Sequence, residues 1–388
     1  MNDKRARTHR AGTALLVVLI IVMAITILSL GFLSRSDVEL ACGENTILRT
    51  QMDYLAESGL EHARGLIVNP QDVSSEYWTG AEGLQLVPGS NDYYDVNVVK
   101  LGECNYQITC DAYRMKNGER IGSSRLTSEL RLDPVIAFWA GGAWQSEVQT
   151  TVNGDVYCDG SLGGEGDING DAFAKLGITA LYIEGRKNEN VTQSPVAWAG
   201  LDINDFSSTY YYGLTSHSVQ DISSGVYSNC TFGSALSEPP EVFYCAGDIE
   251  LAGGVTINGM LVVGQNMIVS DANSSSANVI TAGKNFPALL VSGDAIMRTA
   301  GTLQVNGLAQ IGNRINVDDA AENVDIDIVG GLYIANGEID GVNGSSLSNS
   351  INITAAPAIA SIEIWPTPGN PVRWTPCGGA FFRSIERN

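Results

Sequence analysis

The chain has 388 residues, 44% of them hydrophobic and 43 of them glycine, which is enough for two folded units besides an anchor. It carries 43 acidic and 22 basic residues, a net charge of −21, and no basic stripe with interleaved aromatic residues, which argues against nucleic-acid binding. None of the seven cysteines forms a CxxC pair, so a zinc site or a thioredoxin-like site has little support.

The first predicted element is a membrane-spanning helix. No charged side chain lies between Arg10 and Arg35, and residues 13–33 are apolar almost throughout. At ~1.5 Å rise per residue such a helix covers about 30 Å, the thickness of the hydrocarbon core of a bilayer. A cleaved secretory signal has an apolar region of only about 7–15 residues. The segment is therefore predicted to remain in the protein as an anchor.

The charges that flank this segment predict its orientation. Only Arg35 follows it closely, before Asp37 and Glu39, whereas a cluster of basic residues precedes it: Lys4, Arg5, Arg7 and Arg10. Because positive residues stay on the cytoplasmic side, we expect a single-pass inner-membrane protein with a cytoplasmic N-terminus. Its body would lie in the periplasm or at the cell surface.

The helix is predicted to continue beyond the membrane to about residue 67, and Asn69-Pro70 to end it. Apolar residues at helical spacing indicate an amphipathic second half: Ile47, Leu48, Met52, Leu55, Ala56, Leu60, Ala63 and Ile67. Gly43 and Gly59 are expected to be weak points, each costing roughly 1 kcal/mol relative to Ala.

The region of residues 8–68 resembles the type IV pilin family. The similarity lies in HRAGTALLVVLIIVMAITILSLGFLSRSDVELACGEN and in the later LAESGL at 55–60, which looks like the A-E-x-G-L stretch of the family. It is closest to the N-terminal region of the type IV fimbrial biogenesis protein PilX and less close to the K-type minor pseudopilin of type II secretion.

The resemblance implies that a prepilin peptidase cleaves after Gly12 and that the new terminus at Thr13 is methylated. It also implies that the helix packs beside those of other pilin-like subunits. Major pilins carry Glu at the fifth mature position, where this chain has Val17. This departure favours a minor subunit and leaves open a plain signal-anchor that never meets a peptidase.

A small antiparallel β meander is predicted to follow the helix. Alternating runs at 93–101, 105–115 and 120–132 indicate three strands, and Lys116-Asn117-Gly118 is a strong hairpin signal. Helix followed by meander is again the arrangement that the pilin resemblance implies. Cys104 and Cys110 are close enough in sequence to form a disulfide in an oxidising compartment.

A repeat in the second half of the chain predicts a right-handed parallel β-helix, a solenoid. Gly259, Gly283, Gly307 and Gly331 lie 24 residues apart in segments of alternating apolar residues. The alternative is an irregular β-sandwich in which this spacing is accidental. The expected fold class is thus α+β followed by all-β, and residues 172–245 are expected to be an insertion.

These predictions divide the chain into five parts. They are a basic leader at 1–12, the pilin-like helix at 13–68, the meander at 69–133, a β-helix-like domain at 134–365 and a C-terminal tail at 366–388.

Several polar groups were weighed as sites. Paired acids could serve acid–base chemistry on a β-helix, but they are more typical of a solvated face: Asp318 with Asp319, Asp325 with Asp327, and Asp202 with Asp205. The run Asp167, Asn169 and Asp171 resembles the start of a calcium loop, yet Ala172 and Ile178 stand where that loop needs Gly and Glu.

Other side chains also lack a constellation that would carry chemistry. His9, His62 and His217 are far apart in sequence, and no nucleophile motif accompanies them. The tryptophans Trp139, Trp144 and Trp198 could bind sugar but are more often core residues. We therefore expect no enzyme activity, no cofactor and no metal.

The leading interpretation is a minor pilin- or pseudopilin-like component of a type IV pilus or type II secretion apparatus. Its partners would be the membrane, other pilin-like subunits and a prepilin peptidase. One alternative is a membrane-anchored binding or adhesion protein outside any filament. A less favoured alternative is a tethered carbohydrate-active enzyme.

Overall fold

The structure is a computed structural model. It describes residues 8–69, 77–102, 104–179, 182–235, 237–271, 276–283, 285–298, 300–318, 321–341 and 348–387, with side chains given except at 8–13, 384 and 387. Its first element is the helix α1 (Thr8–Val68), which at ~1.5 Å per residue extends about 90 Å. The long N-terminal helix is thus confirmed, and by length and composition it could cross a membrane.

An antiparallel sheet packs against the C-terminal half of α1. With strands numbered in chain order, it has the order β1 (Gly80–Leu84), β2 (Asp92–Gly102), β3 (Asn105–Lys116), β4 (Glu119–Leu132) and β32 (Ala380–Arg387). The central three strands lie within one residue of the predicted runs. The outer two differ from expectation, because β1 falls in a predicted loop and β32 in the range that was expected to be a tail.

A large body of short parallel strands fills most of the remaining chain. Its first group is β5 (Ile136–Ala140), β6 (Trp144–Asn153), β7 (Asp155–Cys158), β8 (Leu162–Ile168), β9 (Ala172–Ala174), β10 (Tyr182–Ile183) and β11 (Lys187–Asn188). Its second group is β14 (Gln220–Asp221), β15 (Gly225–Tyr227), β16 (Thr231–Phe232), β17 (Val242–Cys245), β18 (Ile249–Leu251), β19 (Thr256–Asn258), β20 (Met260–Val263), β21 (Met267–Val269), β22 (Asn278–Thr281), β23 (Leu289–Val291), β24 (Ala295–Met297), β25 (Thr302–Ile311), β26 (Ile315–Val317), β27 (Asp325–Ile334), β28 (Glu338–Asp340) and β29 (Ser350–Ala355).

Four further strands and two short helical turns lie outside the parallel body. A four-stranded sheet contains β12 (Thr209–Tyr212), β13 (Thr215–Ser218), β30 (Ile362–Thr367) and β31 (Asn370–Trp374) in the order β13-β12-β30-β31. The helical turns are a 3-10 turn (Ile203–Phe206) and α2 (Pro357–Ala360).

The parallel sheet follows a repeating pairing pattern. β17, β18 and β19 pair with β20, β21 and β22, each in parallel with the third strand that follows it. In one ladder, residue 258 faces 281, 281 faces 306, 306 faces 329 and 329 faces 354. The steps alternate between 23 and 25 residues, so the predicted spacing of 24 is their average.

Two of the four predicted repeat glycines are misplaced by one residue. Gly259, Gly307 and Gly330 follow equivalent ladder positions with φ between 138° and 142°, where glycine is favoured. Gly330 therefore replaces the predicted Gly331, and Ala282 occupies the position expected for Gly283. A uniform spacing cannot reproduce a step that alternates.

The order of the strands in the body differs from their order in the chain. β5 pairs with β27, and β6 pairs with β28 and β29, so the first body strands lie beside the last ones. β9–β11 continue the sheet toward one end, and β14–β16 form the opposite end. The expected insertion at 172–245 therefore differs from the structure, since both flanks of this range belong to the sheet.

Polar side chains form a ladder along the edge of the body. Asn336 donates to Asn313, which donates to Asp294, and the backbone N–H of Asp294 donates to Asn266 at 2.9 Å. Inside the body, Val, Ile and Leu side chains are stacked and buried. Alternation of buried apolar and exposed polar residues along each strand positions both sets.

The body is inserted between two neighbouring strands of the antiparallel sheet, β4 and β32. The backbone N–H of Asp133 donates to Gly379 at 3.1 Å, and that of Ile136 donates to Pro376 at 3.1 Å. The entering and leaving segments therefore run side by side at the junction.

Candidate functional site

The N-terminal half of α1 has no cover from the rest of the chain. Every described side chain from Ala14 to Leu33 is exposed, although nearly all are apolar. An uncovered apolar helix of this length needs either lipid or neighbouring helices around it. Val17, at the position where the major pilins carry Glu, is among these exposed residues.

The predicted processing site lies at the edge of the described region. The backbone of Gly12 and Thr13 is helical within α1, and their side chains lie outside the described residues, as do residues 1–7 entirely. Cleavage after Gly12 and methylation at Thr13 remain predictions.

The C-terminal half of α1 docks on the antiparallel sheet. Its buried residues occur at helical spacing, as predicted: Met52, Leu55, Ala56, Leu60, Ala63 and Ile67. Leu48 is partly buried against the same core. Ile47 was predicted to belong to this face but is 61% exposed, because the first contact with the sheet comes one residue later.

Gly59 lies at the closest approach between α1 and the sheet. A Cβ at this position would come within 2.3 Å of the Cys110 Sγ and 2.9 Å of the Tyr94 ring. The residue regarded as a weak point of the helix is therefore the one that lets it reach the sheet. Beside it, the Tyr94 hydroxyl and His62 Nδ1 lie 3.0 Å apart.

The structure does not bring Cys104 and Cys110 together. Cys104 is in the turn before β3, whereas Cys110 is a buried free thiol under α1. The strand from Asn105 to Cys110 alone spans about 17 Å, far beyond the Cα separation of a disulfide. Burial raises the pKa of the Cys110 thiol to about 12, so it stays protonated.

The paired acids lie on the surface of the body. Asp325 and Asp327 share the outer face of β27, as predicted, and Ser350 donates to Asp325 at 2.7 Å. Burial and the charge of Asp325 raise the pKa of Asp327. Asp202 caps the 3-10 turn by accepting the backbone N–H of Asn204 at 2.9 Å, and Asp319 lies outside the described residues.

The calcium-like run is used for an ion pair. Asp171 accepts the backbone N–H and the Nε of Arg186, both at 2.8 Å, and pairs with its Nη2. Asn169 donates to Asn153 at 2.8 Å instead of converging on Asp171. Across the described ranges, no group of three or more His, Cys, Asp or Glu residues is placed to hold a metal ion.

The tryptophans stabilise the body rather than forming a platform. Trp139 is buried and donates to the Val196 carbonyl at 3.1 Å, and Trp144 packs against Phe138 in the interior. Trp198 stacks on Tyr333 with ring centroids 4.6 Å apart. These contacts fasten the segment that connects the two ends of the body to its outer surface.

Comparison with known proteins adds one structural likeness. No protein-family model matches the chain, and no curated protein matches it. Its structure is similar to that of the competence-associated pilin ComZ from Thermus thermophilus, at 12% identity and a TM-score of 0.26, over 88% of this chain and 97% of ComZ. An overlap at this TM-score supports no conclusion about function.

Residues at the junction of the sheet and the body escaped the sequence analysis. They are Asp155, Arg186 and Arg383, which come from three separate parts of the chain. A single sequence contains no spacing signal for groups that only the insertion between β4 and β32 brings close. The pairing of β32 with β4 was the missing information.

Proposed function

We propose that this protein is a minor pilin- or pseudopilin-like subunit of a type IV pilus or type II secretion apparatus. The observation that supports this role is the division of α1 into an uncovered apolar half and a half docked on an antiparallel sheet. The first half would lie in the inner membrane and pack beside the helices of other pilin-like subunits. The second half holds the exported body upright on that anchor.

The body itself would be displayed at the cell envelope as a right-handed parallel β-helix. Three parallel ladders, formed by strands that pair with the third strand along, support a coiled chain path. Each coil buries Val, Ile and Leu against the next, so the body needs its neighbours in the stack for stability. We assign it a structural rather than a catalytic role.

N-terminal processing tests this proposal. The full chain would be expressed in bacterial membranes with and without a prepilin peptidase, and its terminus determined by sequencing and intact mass. We expect loss of residues 1–12 and a methylated Thr13 only when the peptidase is present. A Gly12→Leu variant serves as the matched control, because it removes the small residue that the peptidase would require.

An intact Met1 in the presence of active peptidase would contradict the pilin-like role. The result would then favour the membrane-anchored binding protein that never enters a filament. Orientation has its own test, a periplasm-dependent reporter fused after residue 133. Activity of that reporter restricted to the cytosol would overturn both interpretations.

A further inference from the structure

A cleft of about 580 Å³ opens where the antiparallel sheet meets the parallel body. The sheet side of its lining includes Arg131 of β4 and Arg383 of β32, and the body side includes Asn153, Asn169 and Thr354. A volume between roughly 300 and 1,000 Å³ is usual for a small-molecule site. The cleft lies far along the chain from the uncovered half of α1.

A break in strand register positions Arg383. The pairing of β32 with β4 shifts between Phe382 and Ser384, which leaves Arg383 as the extra residue of a bulge. Bulges of this kind change the direction of a side chain. Arg383 thereby lines the cleft together with Arg131, in a protein whose net charge is −21.

Acidic groups beside the cleft are already engaged by the protein. Asp133 lies 4.0 Å from the Nε of Arg131 and 4.0 Å from the Nη2 of Arg186. Asp155 accepts two backbone N–H groups, those of Val135 and Asp171, each at 2.7 Å. Their charges are therefore offset in place, and the guanidinium groups keep N–H donors for a ligand.

The body wall presents a fixed polar row. Asn169 donates to the Asn153 side-chain carbonyl at 2.8 Å, and Asn153 donates to the Thr354 hydroxyl at 3.3 Å. The row leaves the Thr354 hydroxyl able to donate and the Asn169 carbonyl able to accept. Such groups match the hydroxyls of a sugar, whereas the guanidinium fork opposite them matches a carboxylate.

We propose that this cleft binds a small sugar acid, with its carboxylate on Arg383 and Arg131 and its hydroxyls on Asn169 and Thr354. The site goes beyond the proposed assembly role. Its residues lie outside α1, so binding and N-terminal processing can succeed or fail separately.

Isothermal titration of the full-length protein in detergent micelles tests the proposal. The probes are D-galacturonic acid and digalacturonate, with D-galactose as the neutral probe of the same ring. We expect saturable binding of the acids and none of galactose. Arg383→Gln should weaken acid binding at least tenfold, and Arg383→Lys, which keeps the charge but loses the fork, should weaken it less.

Arg125→Gln provides the matched control. Arg125 also lies on β4 and is exposed, but it pairs with Asp111 away from the cleft, so its loss should leave binding unchanged. Thermal unfolding of each variant checks that the fold is retained. No heat from either acid, equal binding of galactose, or unchanged binding in folded Arg383→Gln would each overturn the proposal.

Discussion

Gly59 shows how one position can serve opposite purposes in a helix and in its packing. Helix propensity alone disfavours glycine there, as it does at Gly43. The structure separates the two residues: nothing lies within 4 Å of a Cβ at Gly43, whereas one at Gly59 would collide with Cys110 and Tyr94. Sequence can identify both glycines but not which of them faces a neighbour.

Gly59→Ala should therefore lower the free energy of unfolding, by roughly 1–3 kcal/mol, because the helix must move away from the sheet. Gly43→Ala should raise it by up to about 1 kcal/mol. Denaturant unfolding of the full chain in detergent measures both. Equal and stabilising effects of the two substitutions would show that α1 does not approach the sheet at Gly59.

Asp155 provides a pH dependence at the residue scale. Burial, the largest cause, raises its pKa to about 6, above the value of about 3.9 in an unfolded chain. Between these values the folded state binds the extra proton, so stability should rise as the pH falls from 7 toward 4 and be lost again as it rises through 6. Urea unfolding across this range measures the slope.

Asp155→Asn should remove that slope near pH 6, since the amide cannot titrate and its carbonyl still accepts one backbone N–H. Asp167→Asn is the control, because Asp167 lies on the outer face of β8 and Gln149 donates to it at only 3.4 Å. An unchanged slope in Asp155→Asn would assign the pH dependence to other groups.

At the scale of elements, α1 is one helix with two environments. The periodic apolar residues predict its docked face almost completely, since a buried stripe must repeat at the helical period. They do not predict where docking begins, because that depends on how far the sheet reaches along the helix. Ile47 falls just short of it and Leu48 just within it.

Leu60→Ala should cost about 2–5 kcal/mol, the usual cost of emptying a fully buried leucine position. Ile47→Ala, with a similar loss of side chain at an exposed site, should change stability by less than about 0.5 kcal/mol in detergent. Unfolding followed by tryptophan fluorescence compares the two, with Trp78 near the interface beside His62. A large effect of Ile47→Ala would reveal a covered face.

At the scale of the whole molecule, the body is stacked in an order different from that of the chain. Its first strands in sequence lie in the middle of the sheet, because β6 pairs with β8 on one side and with β28 and β29 on the other. The strands β10, β11 and β14–β16 lie at the ends and pair along one edge only.

Hydrogen exchange should follow this spatial order. Amides of β6, β27 and β29 should exchange slowest, and those of β10, β11 and β14–β16 fastest, because end strands open without disturbing the rest. Exchange measured by mass spectrometry on the full chain reads both groups at once. Fast exchange in β6, as expected if the first strands formed an end, would contradict the stacking.

The sequence by itself determined the features that depend on local pattern. An uncharged run of membrane length, a helical apolar stripe, a Lys-Asn-Gly turn and a repeat near 24 residues each follow from neighbouring residues, and the helix, the central meander strands and the parallel repeat agree with them. Only the tertiary structure decided which distant segments meet: β32 beside β4, β5 beside β27, and Arg383 beside Arg131. Those contacts join residues that are far apart in the chain, and no local period records a partner at that distance.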